Sequence, residues 1–171
     1  TDHVDATLGD DLPAHVLLGL PKTTINEICS PNSTILLIGS DLKEEYGTLY
    51  IRLRDAITNM GAKLIELTPI ETGLSNIASI SLRPRPGEIA KVINSILTGE
   101  APVESGGVSK ESIKACHELI QDTQINVVFA HHSVAESTES ITQALTLLQE
   151  VQETKFLPLV KRANTIGALH M

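Results

Sequence analysis

Thr34-Ile35-Leu36-Leu37-Ile38-Gly39 and, after a helical stretch, Lys63-Leu64-Ile65-Glu66-Leu67 decide how this chain folds. The first run is apolar from Ile35 to Ile38 and stops at a glycine, the pattern of a strand covered on both faces in a parallel sheet. Asp41 stands three residues before Glu44, which is the spacing of a helix capping box. Tyr46, Leu49, Tyr50, Leu53, Ile57 and Met60 then recur on one helical face, Arg52, Arg54 and Asp55 lie elsewhere around it, and Gly61 supplies the stop. Residues 34–67 therefore predict a strand–helix–strand unit with a right-handed crossover.

Reading outward toward the carboxyl terminus, the stretch after Pro69 is irregular until Pro84-Arg85-Pro86-Gly87, where Pro86 pre-sets a helix start. Ile89, Val92, Ile93, Ile96 and Leu97 follow at amphipathic helical spacing. Residues 98–109 are expected to be a flexible connection. Ser109 then caps a helix with Ile113, Cys116, Leu119 and Ile120 on its apolar face. Asn126 to Ala130 is a strand. The Ser133–Glu136 spacing opens a helix carrying Ile141, Ala144, Leu145, Leu148 and Val151, and Phe156 to Leu159 makes a last short strand. Toward the amino terminus, residues 1–33 are turn-rich, with apolar pieces at Val16–Leu20 and Ile25–Ile28 that suit an extended lead-in packing on the core. The expected fold is an α/β open, mostly parallel sheet with helices on both faces and a Rossmann-like dinucleotide-binding topology. Its first half covers 34–98, a linker 99–108, and its second half 109–171.

The 171 residues suffice for one sizeable core, since a chain of this length buries roughly 70% of its unfolded surface. Tyr46, Tyr50, Phe129 and Phe156 are the only aromatics, which argues against sites built on stacking of bases or cations. A net charge of −8 repels polyanions, so no nucleic-acid partner is expected. No apolar run reaches the ~18 residues of a membrane span. Cys29 and Cys116 lie in no C-x-x-C frame and read as two buried thiols of a reducing compartment, the alternative being a disulfide between them.

In an open α/β sheet ligands bind at the carboxyl ends of the strands, where Gly39-Ser40-Asp41, Thr68–Thr72 and Ala130–Ser133 would converge. Gly39 permits close backbone approach, but Asp41, Glu44 and Glu45 put carboxylates where a phosphate would sit, and there is no G-x-G-x-x-G fingerprint. His131 and His132 are adjacent on a strand end and point to opposite faces, and Cys116 and His117 are neighbours on a helix, so no metal site is expected. Ser40 and Ser133 lack the G-x-S-x-G setting of a nucleophile and read as turn or cap residues.

The run ILLIGSDLKEEYGTLYIRLRDAITNMGAKLIELTPIETGLSNIASISLRPRPGEIAKVINSIL, residues 35–97, resembles the dinucleotide-binding region of the molybdopterin oxidoreductase superfamily. That region has a strand, a G-[SA]-N turn, a helix, a strand running into D-P-R-R-T, an A-D pair and R-P-G-T-D before a further helix. Within the superfamily, GSDLKEE, the ELTP…TGL segment, FLPLVKRANTIGAL at 156–169 and DHVDATLGDDLPAHVLLGLP at 2–21 are most similar to the large iron–sulfur subunit of bacterial NADH–quinone oxidoreductase, complex I. The start at Thr1 and the end at Met171 without a polar tail then read as an excised internal domain of that longer subunit.

The resemblance implies a site. In catalytic relatives these loops hold molybdopterin guanine dinucleotide, and Gly39, Ser40, Pro69, Thr72, Arg85, Pro86 and Gly87 match their pattern. If the nucleotide site is retained, Gly39, Ser40, Asp41, Thr72 and Arg85 are its candidate contacts. The departures point the other way. The family Asn is Asp41, the Asp before the proline is Thr68, the paired arginines are Ile70 and Glu71, and the later aspartates are Ser79 and Ile89. Losing planar cationic donors and gaining a carboxylate disfavours a phosphate. The resemblance therefore implies a scaffold domain with no cofactor of its own, contacting the rest of its subunit and other peripheral-arm subunits. The parent's iron–sulfur clusters would be bound outside this chain. The parent passes electrons from NADH to quinone, and its peripheral arm would be cytoplasmic, at the inner face of the cell membrane. The alternative is a molybdopterin guanine dinucleotide-binding domain of a molybdenum oxidoreductase such as a formate-dehydrogenase-like enzyme.

Overall fold

Among the described residues five parallel strands form one sheet, in the order β3 (Ile80–Leu82), β2 (Lys63–Leu67), β1 (Thr34–Ile38), β6 (Ile125–Ala130), β7 (Lys155–Leu159). The computed structural model describes residues 13–39, 41–100, 103–121, 123–130, 138–151 and 153–160. In chain order these carry α1 (Ala14–Gly19), α2 (Ile25–Ile28), β1 (Thr34–Ile38), α3 (Leu42–Glu45), α4 (Gly47–Asn59), β2 (Lys63–Leu67), β3 (Ile80–Leu82) and α5 (Ile89–Thr98). There follow β4 (Glu104–Ser105), β5 (Val108–Ser109), α6 (Lys110–Ile120), β6 (Ile125–Ala130), α7 (Thr138–Gln149) and β7 (Lys155–Leu159).

Side chains alternate between the two faces of a strand, and the sheet uses both. Ile35 and Leu37 of β1, with Leu64 of β2 and Val128 of β6, pack against Ile28, Leu42, Leu49, Leu53 and Ala56 from α2, α3 and α4. Leu36, Ile38, Ile65, Leu67, Val127 and Phe129 pack on the opposite face against α5, α6 and α7 through Ile93, Ile96, Ile113, Cys116, Ile141 and Leu145. All five residues of β1 are buried, which is why it reads as an unbroken apolar run rather than an alternating one. The step from β1 to β2 uses α4 on one face. The step from β6 to β7 runs the opposite way across the sheet and uses α7 on the other face. Both crossovers therefore have the same hand, and the strand order reverses between β1 and β6.

Several local readings change. The helix expected from Asp41 to Met60 breaks at Tyr46 (φ −137°, ψ 59°), beside Gly47, a residue that is costly inside a helix. The helix expected from Pro86 starts instead at Ile89, because Gly87 takes φ +83° and the chain turns there through a Glu88 N–H to Arg85 carbonyl bond of 3.0 Å. The stretch expected to be a linker contains the β4–β5 hairpin. Gly106 (φ +57°) and Gly107 (φ +84°) make its two-residue turn, the dihedral signs of a type I′ turn. Ser105 Oγ lies 2.8 Å from Ser95 Oγ, and Val108 is buried, so the hairpin is pinned to α5. The three-residue β3 is too short for periodicity to reveal.

The lead-in is helical rather than extended where it is described. Leu17, Leu20 and Ile28 are buried, and Thr24 and Glu27 form a complete capping box on α2. Between the two helices the chain lies along the outer edge of β7: Phe156 N–H donates to Pro21 O (2.8 Å) and Thr23 N–H to Phe156 O (3.0 Å). The next outward-facing residue of β7 is Pro158, whose missing N–H falls on the edge, where a ladder bond is not required. No helix among the described residues is long and apolar enough to cross a membrane.

Candidate functional site

The carboxyl ends of β1 and β2 are where the sequence places its candidate residues. Gly39 leaves β1 at φ +80° and donates its N–H to Leu67 O at 3.0 Å, extending the ladder to β2 by one residue. Asp41 is the N-cap of α3. Its carboxylate accepts from Lys43 N–H (3.1 Å) and, at 3.5 Å, from Gly73 N–H. This side chain therefore ties the loop after β1 to the loop after β2. Gly73 sits so close to α3 that a Cβ there would lie 2.9 Å from Lys43 Cδ. Gly39, Asp41 and the Thr72-Gly73 turn are thus brought together. Ser40, His131, His132 and Ser133 lie outside the described residues.

Thr72 is buried, and its hydroxyl donates to the Glu66 carboxylate while accepting from Leu74 N–H (3.1 Å). Ser75 Oγ (2.7 Å), Ser81 Oγ (2.5 Å) and Arg83 Nη1 (3.1 Å) all donate to Glu66 Oε2. Arg83 Nη2 donates in turn to Ser75 Oγ at 2.8 Å. Sequence reasoning missed this cluster. Its signal was a lone carboxylate, Glu66, flanked by the apolar Leu64, Ile65 and Leu67 of one strand, which demands buried partners.

Arg85 is not part of that group. Its guanidinium is paired with Glu104 at 2.8 Å, both side chains more than half exposed, and its stem lies under the β4–β5 turn. His117 packs its ring against Gly99 and places Nδ1 2.9 Å from Ile96 O, at the end of α5. Among the described residues no three His, Cys, Asp or Glu side chains cluster as metal ligands would. Cys29 and Cys116 are free and buried, one in each layer of the core, so the sheet separates them. Burial raises both thiols, that of Cys116 to about 12, and for Cys29 the nearby Arg52 offsets part of the rise.

Two clefts open elsewhere. One of about 490 Å³ lies at the amino ends of the strands beside Ser33, Thr34, Asn126 and Lys155. The other, about 500 Å³, runs between β7 and the start of α4 beside Tyr46, Leu49, Arg52 and Leu157. Neither is lined by Gly39, Asp41, Thr72 or Arg85.

An anionic dinucleotide at the strand ends needs outward-facing donors. The hydroxyls of Thr72, Ser75 and Ser81 and the guanidinium of Arg83 are turned onto Glu66, and Arg85 is turned onto Glu104. The acidic group beside Gly39 is Asp41. In this arrangement Asp41, Thr72 and Arg85 do not fit the phosphates of molybdopterin guanine dinucleotide. No protein-family model matches the chain, and no curated protein matches it.

Proposed function

We infer that this chain is a cofactor-free packing domain of the large iron–sulfur subunit of an NADH–quinone oxidoreductase. The similarity of residues 2–21, 35–97 and 156–169 to that subunit supports the assignment, and an α/β sheet is the architecture it implies. The observation that carries the cofactor-free part is the inward closure of the polar groups between Glu66 and Arg83. In this reading the domain supplies surface to the rest of its subunit and to neighbouring peripheral-arm subunits and performs no acid–base or redox step. Electrons from NADH travel to quinone through iron–sulfur clusters held by other parts of the parent, at the inner face of the cell membrane.

The test is made on the purified full-length parent complex. It is expected to reduce quinone with NADH and to contain neither stoichiometric molybdenum nor releasable pterin. Stoichiometric pterin would instead make this a nucleotide-binding domain of a molybdenum oxidoreductase, and absence of NADH–quinone activity would remove the assignment to that complex. On the isolated chain, guanine nucleotides are expected to leave the thermal midpoint unchanged. A stabilisation abolished by Arg85→Ala would count against the cofactor-free reading.

A further inference from the structure

Glu66 is the only charged side chain among the described residues that is fully buried. A carboxylate removed from water is strongly disfavoured unless its oxygens are hydrogen-bonded and its charge is paired. Here the partners come from three places. Ser81 lies directly across from Glu66 in the β2–β3 register, Arg83 stands two residues beyond it on the same face, and Thr72 and Ser75 come from the loop between the strands. Ser75 Oγ also accepts from Arg83 and from the Thr72 N–H (2.8 Å), so the donors brace one another as well as the carboxylate. A planar cation and three hydroxyls converging on two oxygens is the chemistry of a carboxylate receptor.

We propose that residues 72–83 form a carboxylate-binding cradle whose resident ligand is the Glu66 side chain, and that this internal ligand fastens the 68–79 loop onto the sheet. The cradle goes beyond the domain assignment: it names what fills the donors at the end of β2, whichever complex the chain belongs to. Pterin content of the parent tests the function and anion rescue tests the cradle, so either result stands without the other.

The decisive variant is Glu66→Ala in the full chain, probed with sodium formate and sodium acetate against chloride at equal ionic strength. Breaking a buried charged network in a chain of this size is expected to lower the thermal midpoint by about 10 °C in chloride. Formate or acetate should recover most of that loss saturably, leave the unsubstituted chain unmoved, and fail on Glu66→Ala/Arg83→Met. The idea is overturned if Glu66→Gln melts with the unsubstituted chain, or if the small carboxylates act equally on the double variant. Should Glu66→Ala not fold, Arg83→Met carries the test by hydrogen exchange. The Leu74 amide is then expected to exchange at least tenfold faster while that of Val127 in β6 keeps its rate, and an unchanged Leu74 rate would refute the cradle.

Discussion

Cys116 has no exposed surface, and burial alone lifts its thiol to about 12, so at pH 8 only about one molecule in ten thousand carries the reactive thiolate there. Cys29 is shifted the same way in the other layer of the core. The native chain should therefore resist iodoacetamide at both positions for hours at pH 8, and the denaturant-unfolded chain should be alkylated at both within minutes. Mass spectrometry of the two samples reads the difference, and rapid native labelling of Cys116 would contradict its burial. Composition favoured two buried thiols over a Cys29–Cys116 disulfide, and both cysteines are free and buried. That they occupy opposite faces of the sheet was not legible in the sequence, since it depends on which way Ile28 and Ile113 carry their neighbours into the core.

Among the elements, α2 has four residues and depends on its ends. The Glu27 carboxylate accepts from the Thr24 backbone N–H (2.8 Å) and the Thr24 hydroxyl, with lesser contributions from Lys155 and Thr23. Together these hold it at about 2, against an ordinary value of 4.5. A depressed folded value means the contribution is fully present above about pH 4.5 and is lost as pH falls through about 2. Thermal midpoints measured from pH 6 to pH 2 should show the unsubstituted chain ahead of Glu27→Gln at the upper end and level with it at the lower; a constant gap would rule out the box as its cause. The longer α4 illustrates a different balance. Leu53 is fully buried against β1, whereas Ile51, two residues earlier, is 66% exposed. Leu53→Ala should cost about 2–5 kcal/mol and Ile51→Lys less than about 0.5 kcal/mol, as read by urea denaturation. A large effect of Ile51→Lys would mean that its face is covered.

Across the molecule, Phe156 joins the core to the lead-in. Its ring meets Phe129 edge-on at 6.5 Å and 78°, inside the layer shared with α5 and α7, while its backbone holds Pro21 and Thr23 along the sheet edge. Phe156→Ala is expected to cost about 3–5 kcal/mol, a large part of the roughly 5–15 kcal/mol typical of a single domain. It should also raise exchange at the Thr23 amide before other edges loosen. Hydrogen exchange checks both, and a Thr23 amide that stays protected would show that the lead-in is held by Leu17 and Leu20 without the strand.

The apolar run at 35–38, the mostly apolar strand at 63–67 and the helical spacing of Leu49 and Leu53 determined the α/β class by themselves, because burial on both faces of a strand leaves a local signature in the sequence. The helix cap at Ser109 is equally local; the Thr24 cap and the Gly106-Gly107 turn are local as well but lie in stretches that read as extended lead-in and linker. The strand order, the opposite placement of α4 and α7, and the pairing of Phe156 with the lead-in came only from the tertiary structure. The same holds for the candidate site. Gly39, Asp41 and Thr72 could be found by position along the chain, but the direction of their polar groups could not. Thr72 faces inward because the buried carboxylate of Glu66 must gather its donors from residues 6 to 17 positions further along the chain, and Arg85 turns outward to Glu104 across the base of the hairpin. Hydrophobic pattern is written into neighbouring residues; the partner of a buried charge is decided by which strands lie side by side.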